Sequence, residues 1–173
     1  MAENSKIEWT DHTFNAWVGG TKVSPACDHC DAESWAKRTG KPDLWAGERR
    51  RTTPEYWRQP TKWNKKADAA GVRARVFCCS LADVFDNQVP PLWRADLWQV
   101  IRDTPNLDWL LLTKRPQNIA KMLPIDWGYG FPNVWLGTTA ENEEEANRRI
   151  PHLREVPARV RFLSVEPMLA LIV

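Results

Sequence analysis

Trp109-Leu110-Leu111-Leu112-Thr113 carries four apolar side chains in succession and ends against Lys114-Arg115-Pro116. A strand with one wet face alternates apolar and polar residues. An unbroken apolar run bounded by charge and proline instead reads as a strand covered on both faces, as in a parallel sheet with helical crossovers. Runs of the same kind recur at Phe14 to Val18, Arg75 to Ser80, Val134 to Thr138 and Val160 to Val165. Helical patterns separate them. Asp28 to Arg38 is a candidate helix, and Pro54 to Ala70 has proline in its first turn and Gly71 at its end. Leu92 to Arg102 places apolar residues at 92, 93, 97, 100 and 101, a helical stripe. Gln117 to Met122 reads as a short helix. Glu141 to Leu153 opens with acids and carries Arg148 and Arg149 further on, the order a helix dipole favours. Residues 40 to 53 are a polar, Arg-rich connection. About five such units predict an α/β fold, either a partial (β/α) barrel or an open parallel sheet.

At 173 residues the chain is expected to form a single domain, 1–173, long enough to bury a real core. A formal net charge of +2 gives no global pull toward nucleic acid. No apolar run approaches a membrane span, and the N-terminus lacks the basic-then-apolar pattern of a signal peptide. Four cysteines, of which Cys78 and Cys79 are adjacent, do not read as a secreted disulfide framework; a reducing cytoplasm fits better. Eleven tryptophans are many for this length, and indole is favoured both in cores and at protein interfaces.

In parallel β/α folds the loops after the strand C-termini converge, so polar residues there are site candidates. Four predicted strand ends carry such groups: Ser80 with Asp83; Thr113, Lys114 and Arg115; Thr138 with Glu141 and Asn142; and Ser164 with Glu166. The bland alternative is that these residues cap helices and pair with one another. Asp83 before an apolar run, and Glu141-Asn142 at a helix start, are capping chemistry as they stand.

The loop after the first strand reads Gly19-Gly20-Thr21-Lys22-Val23-Ser24-Pro25-Ala26-Cys27-Asp28-His29-Cys30. Two thiolates separated by two residues can grip one metal from a single turn, as in zinc and iron–sulfur sites. With Ile7-Glu8-Trp9-Thr10-Asp11, Phe77 to Asp86, Leu111 to Pro116, Asn133 to Gly137 and Phe162 to Pro167, this loop resembles the phage three-Cys-motif proteins of unknown function, which are similar to radical S-adenosylmethionine (SAM) enzymes. Their signature reads roughly Gly-Cys-Thr-x-Val-Ser-Pro-x-Cys-x-x-Cys-Tyr-Ala-Glu. Here Gly20 stands where the first cysteine belongs and Asp31 where the tyrosine belongs. Relatives of that kind usually continue past the Glu166-Pro167 block, so the resemblance implies a barrel incomplete at the C-terminus.

An intact member would hold a [4Fe-4S] cluster on three thiolates. The strand-end rim of Ser80, Asp83, Lys114, Glu141, Asn142 and Glu166 would then hold SAM. With Cys27 and Cys30 alone the set is one ligand short. His12, Cys78 or Cys79 would have to supply a substitute, and the bland reading of the paired cysteines is a small buried hydrophobe each. Glycine at 20 also loosens the loop. The resemblance therefore implies lost redox chemistry and no cofactor, with a SAM-dependent iron–sulfur enzyme acting on a nucleotide or nucleic acid as the alternative.

A second feature points to binding. From Glu48 to Arg75 there are nine Lys or Arg against three acids. The interaction candidates are Arg49, Arg50, Arg51, Trp57, Arg58, Lys62, Trp63, Lys65 and Lys66. Clustered cations with aromatics suit phosphates and unstacked bases or an acidic protein surface; otherwise they are a solvated helix face with two core tryptophans. Three function classes follow: a degenerate phage-type protein that binds a protein or ribonucleoprotein complex of the host, such as an anti-CRISPR inhibitor; a radical-SAM-like enzyme; and a nucleic-acid-binding module. An uncovered strand at Val160 to Val165, or one near Phe14, would favour association, including a homodimer.

Overall fold

The structure is a computed structural model and describes residues 5, 7–29 and 31–173, with the backbone alone for His29 and Asp31. Its elements run β1 (His12–Phe14), β2 (Trp17–Val18), α1 (Asp31–Arg38), β3 (Arg50–Arg51), α2 (Gln59–Ala70), β4 (Ala74–Cys78), α3 (Pro91–Arg102), β5 (Leu107–Thr113), α4 (Ile119–Met122), β6 (Val134–Thr139), α5 (Glu143–Glu155) and β7 (Val160–Ser164). Five strands form a parallel sheet in the order β1-β4-β5-β6-β7. Each new strand lies on the same side of the last, without reversal, so right-handed crossovers place the connecting helices on one face. β1 and β7 end the sheet and do not meet. The fold is an open parallel α/β sheet.

Strand alternation divides the two faces. Val76, Trp109, Leu111, Val134 and Leu136 are fully buried and share a core with Trp63 of α2, Leu97 and Ile101 of α3 and Leu153 of α5. Burying a side chain of this size is worth ~1.5–3 kcal/mol, and this layer fixes the sheet. Phe77, Leu112, Trp135 and Phe162 point the other way and are half-buried. Toward the strand C-termini α1 approaches that second face, where Ala32 lines a cleft with Phe77 and Leu112.

Several boundaries differ from the sequence expectation. The run Phe14 to Val18 is not one strand. β1 stops at Phe14, and β2 turns away to pair antiparallel with β3. The cause is contact with distant segments: Asn15 Oδ1 accepts the Leu81 N–H (2.8 Å), while the Ala16 carbonyl accepts the Thr52 N–H and hydroxyl (3.1 and 2.8 Å). The polar connection 40–53 holds a 3-10 turn, Pro42–Trp45, that buries Leu44. α2 starts at Gln59, after a separate turn at Tyr56–Arg58, and ends on Gly71, whose positive φ of 65° lets its N–H cap the helix. Among the described residues no helix is long and apolar enough to cross a membrane.

Candidate functional site

The C-terminal ends of β4 and β5, together with the loop after β2, enclose a cleft of about 120 Å³. Its walls include Gly20, Thr21, Cys27, Trp45, Cys79, Ser80, Asp83, Lys114, Arg115 and Thr139. Sequence reasoning located Ser80, Asp83 and Lys114 here, and the structure brings these three together.

Asp83 organises the cleft. Its carboxylate accepts from the Thr113 hydroxyl (2.7 Å), the Phe85 N–H (2.9 Å), the Lys114 N–H (3.2 Å) and Arg115 Nη1 (3.1 Å). It is therefore more than a cap: it clamps the ends of β4 and β5 together. Arg115 also donates to the carbonyl and hydroxyl of Thr21 (3.2 and 3.1 Å), tying the loop after β2 to the end of β5. Ser80 meets Asn15 Nδ2 at 3.2 Å. Lys114 Nζ has no acceptor among the described residues, so its charge faces the cleft uncommitted.

Cys79 sits at φ 63°, a left-handed conformation that a non-glycine residue rarely adopts and that often marks a functional position. Its N–H bonds the Phe14 carbonyl (2.7 Å), which fixes the turn at the strand end. Cys78 faces the core instead, with its sulfur 3.7 Å from that of Cys79. Burial, and then the Cys79 thiol, push the Cys78 thiol well above its ordinary range, so it stays protonated. Of the two, Cys79 alone lines the cleft.

Position 20 is not an empty socket. A Cβ there would lie 3.1 Å from Trp45 Cη2 and 3.2 Å from Cε3, with Cζ3 closer still. The indole occupies the space a side chain would need. Cys27 lines the same cleft and accepts the Val23 N–H at 3.4 Å. Cys30 lies outside the described residues. His12 stacks on Trp63 at 4.4 Å, among the helix-side aromatics, and is thereby removed from the cleft. No group of three or more His, Cys, Asp or Glu side chains converges as a metal site among the described residues.

Glu141 and Asn142 stand behind the cleft. Asn142 is the N-cap of α5 and accepts the Glu145 N–H (2.8 Å). Glu141 is fully buried; its carboxylate accepts from the Ser24 hydroxyl and from Arg149 Nη1 (2.6 Å). Burial pushes its carboxyl up, but Ser24 and Arg149 together outweigh that and hold it below the ordinary glutamate value. The Ser24–Glu141–Arg149 chain latches the loop after β2 onto the end of β6. Glu166 is not part of this group. It borders a different groove, of about 330 Å³, with Trp9, Arg75, Trp135 and Phe162.

The basic segment divides. Arg49 is not a surface cation: its side chain is 4% exposed and bonds Asp86, 1% exposed, through Nε at 3.0 Å. Trp63 is 2% exposed and belongs to the core, because helical spacing turns it under the sheet while its neighbours turn out. Both corrections follow from helix and loop orientation, which a count of charges does not contain. Trp57 is half-buried against Phe14, with the Arg51 guanidinium 4.3 Å above its ring. Arg51 also pairs with Asp96, and Arg50 with Glu48. Arg58, Lys62, Lys65 and Lys66 are exposed, on one stripe of α2 and the turn before it.

Trp45, Ser24 and Arg149 were missed. An indole in a turn, a serine before proline and an arginine in a helix carry no sequence mark of these contacts. The family of proteins of unknown function DUF5131 matches residues 4–173. The chain belongs to that family. No curated protein and no solved structure matches it significantly.

Proposed function

We propose that this DUF5131 protein is a catalytically degenerate binding protein acting on a protein or ribonucleoprotein complex of a phage host, in the manner of an anti-CRISPR inhibitor. The observation that carries the reading is Trp45, packed into the space where a ligand at position 20 would project. A cleft closed by an indole at that point favours a scaffold retained for its surfaces over one retained for redox chemistry. A cytoplasmic site of action belongs to the same proposal. The test is plaquing of a CRISPR-targeted phage on a host that expresses the protein. Restored plaquing supports the reading. Unchanged plaquing, together with about four irons per chain and SAM cleavage by the anaerobically purified protein, overturns it.

One observation favours a second reading. The exposed Arg58, Lys62 and Lys65 recur at helical spacing and present a single cationic stripe, the arrangement that follows a phosphate backbone. Single-stranded nucleic acid binding would then fall steeply with salt and be lost on joint replacement of these residues by Glu; salt-independent or absent binding removes this reading.

A further inference from the structure

A groove of about 280 Å³ lies between α3 and the chain that ends α4, and it shares no lining residue with the strand-end cleft. Pro91, Arg94, Ala95, Trp98 and Arg102 follow one another at helical steps of three and four, so one face of α3 makes one wall. Lys121 to Pro124 make the other. Trp98 Nε1 donates to the Met122 carbonyl (3.1 Å) and ties the two walls together.

Every charged side chain lining this groove is a cation: Arg94, Arg102 and Lys121. Arg102 is matched by Asp126, which it meets through Nε at 2.8 Å. The other two are not matched. Lys121 Nζ has no acceptor among the described residues. Arg94 is only 6% exposed, and its Nε and Nη2 donate to the carbonyls of Val84 and Asp86 (2.8 Å each), which carry no net charge. Its Nη1 has no acceptor, and no carboxylate pairs with Arg94, among the described residues. Asp86 and Asp83 are committed elsewhere, to Arg49 and Arg115. Burial lowers the Arg94 guanidinium below the ordinary arginine value, and the charges of Asp86 and Asp83 offset this only in part. Buried charges in proteins are paired, so Arg94 is short of a counter-ion. The helix adds to the same sign: α3 begins with no side-chain cap and no acid in its first turn, which leaves the positive end of its dipole uncompensated.

We propose that this groove binds an organic phosphate, with the phosphoryl group held by Arg94 Nη1, Lys121 Nζ and the first turn of α3, and an apolar body lying along Trp98, Met122 and Leu123. A phosphoryl dianion matches two uncompensated cations in charge and offers three acceptor oxygens to them. A carboxylate would leave one cation unmatched. The volume is close to the ~300 Å³ at which small-molecule pockets begin, and the rest of the wall is apolar, so the ligand carries a hydrophobic remainder. The site stands apart from the strand-end cleft and from the cationic stripe of α2, and it does not depend on the binding role proposed above.

The experiment is titration calorimetry of the full chain with phenyl phosphate, inorganic phosphate, benzoate and phenol. Phenyl phosphate is expected to bind at one site, about tenfold or more tighter than inorganic phosphate because its ring leaves water. It is expected to exceed benzoate and phenol by more, since they lack the dianion. Lys121→Glu is expected to weaken phenyl phosphate about tenfold or more, and Lys121→Arg to retain it. Lys37→Gln, at the exposed end of α1, is expected to leave the affinity unchanged. Arg94→Gln is expected to abolish binding; because Arg94 also ties Val84 and Asp86 to α3, circular dichroism checks its fold, and the Lys121 pair decides the matter if that variant unfolds. No binding of phenyl phosphate, equal affinity for inorganic phosphate, benzoate or phenol, or unchanged affinity in Lys121→Glu overturns the proposal.

Discussion

Replacing Gly20 by cysteine puts a Cβ and a sulfur into space held by the Trp45 ring. The Cβ alone would lie 3.1 Å from Cη2 and 3.2 Å from Cε3, against ~3.5–4.0 Å for relaxed carbon contact. The backbone cannot step aside freely, because the Gly20 N–H is tied to the Leu44 carbonyl at 2.8 Å, one residue from Trp45 itself. The indole must swing out and give up its packing on the small cluster of Val18, Ala36 and Leu44. Overpacking of this kind costs about 1–3 kcal/mol. With a urea slope of ~2 kcal/mol/M for a chain of this size, the unfolding midpoint falls by about 0.5–1.5 M. Trp45→Ala removes the obstruction, so the double variant is expected to be more stable than the two single effects sum to, by ~1 kcal/mol or more. Urea unfolding of all four proteins, followed by circular dichroism, measures this. Gly20→Cys at wild-type stability, or strict additivity with Trp45→Ala, would refute the reasoning.

Three further outcomes follow from the buried polar contacts. Arg49→Ala leaves the Asp86 carboxylate buried without its cation, expected to cost about 3–5 kcal/mol and to lower Tm by roughly 10 °C or more in a thermal melt. Asn142→Ala removes the acceptor for the Glu145 N–H, an expected loss of about 1 kcal/mol that Asn142→Asp restores, read in the same melt. The Glu141 carboxyl is held below its unfolded value, so its contribution is present above that value and is lost as pH falls through the lower folded one. Ser24→Ala brings the folded value closer to the unfolded one, so the acid-dependent loss of stability is expected to be smaller and to be complete at higher pH, as a urea series from neutral to acid pH would show.

Much of the architecture could be read from residue order. Trp109 to Leu112 is a continuous apolar run because both faces of β5 are covered or cleft-lining, and periodicity reports coverage directly. The helices expected at 92–102 and 141–153 from stripes and charge order form at 91–102 and 143–155, and Gly71 ended α2 as its freedom at positive φ requires. The clustering of Ser80, Asp83 and Lys114 was legible too, because parallel strands gather their C-terminal ends in one place. The break after Phe14 was not. It is decided by Asn15 and Thr52 bonding to segments tens of residues away. Charge counting likewise grouped Arg49 with Arg50 and Arg51, although a buried carboxylate 37 residues on takes the first of them out of solvent.

By itself, then, the chain's order of residues settled the α/β fold class, since that depends on local pattern. Whether position 20 is a vacancy or a filled space, and which of two adjacent cysteines faces the cleft, were decided only in three dimensions. Each turns on a contact between segments remote in sequence, and the side chains that make such contacts carry no periodicity to announce them.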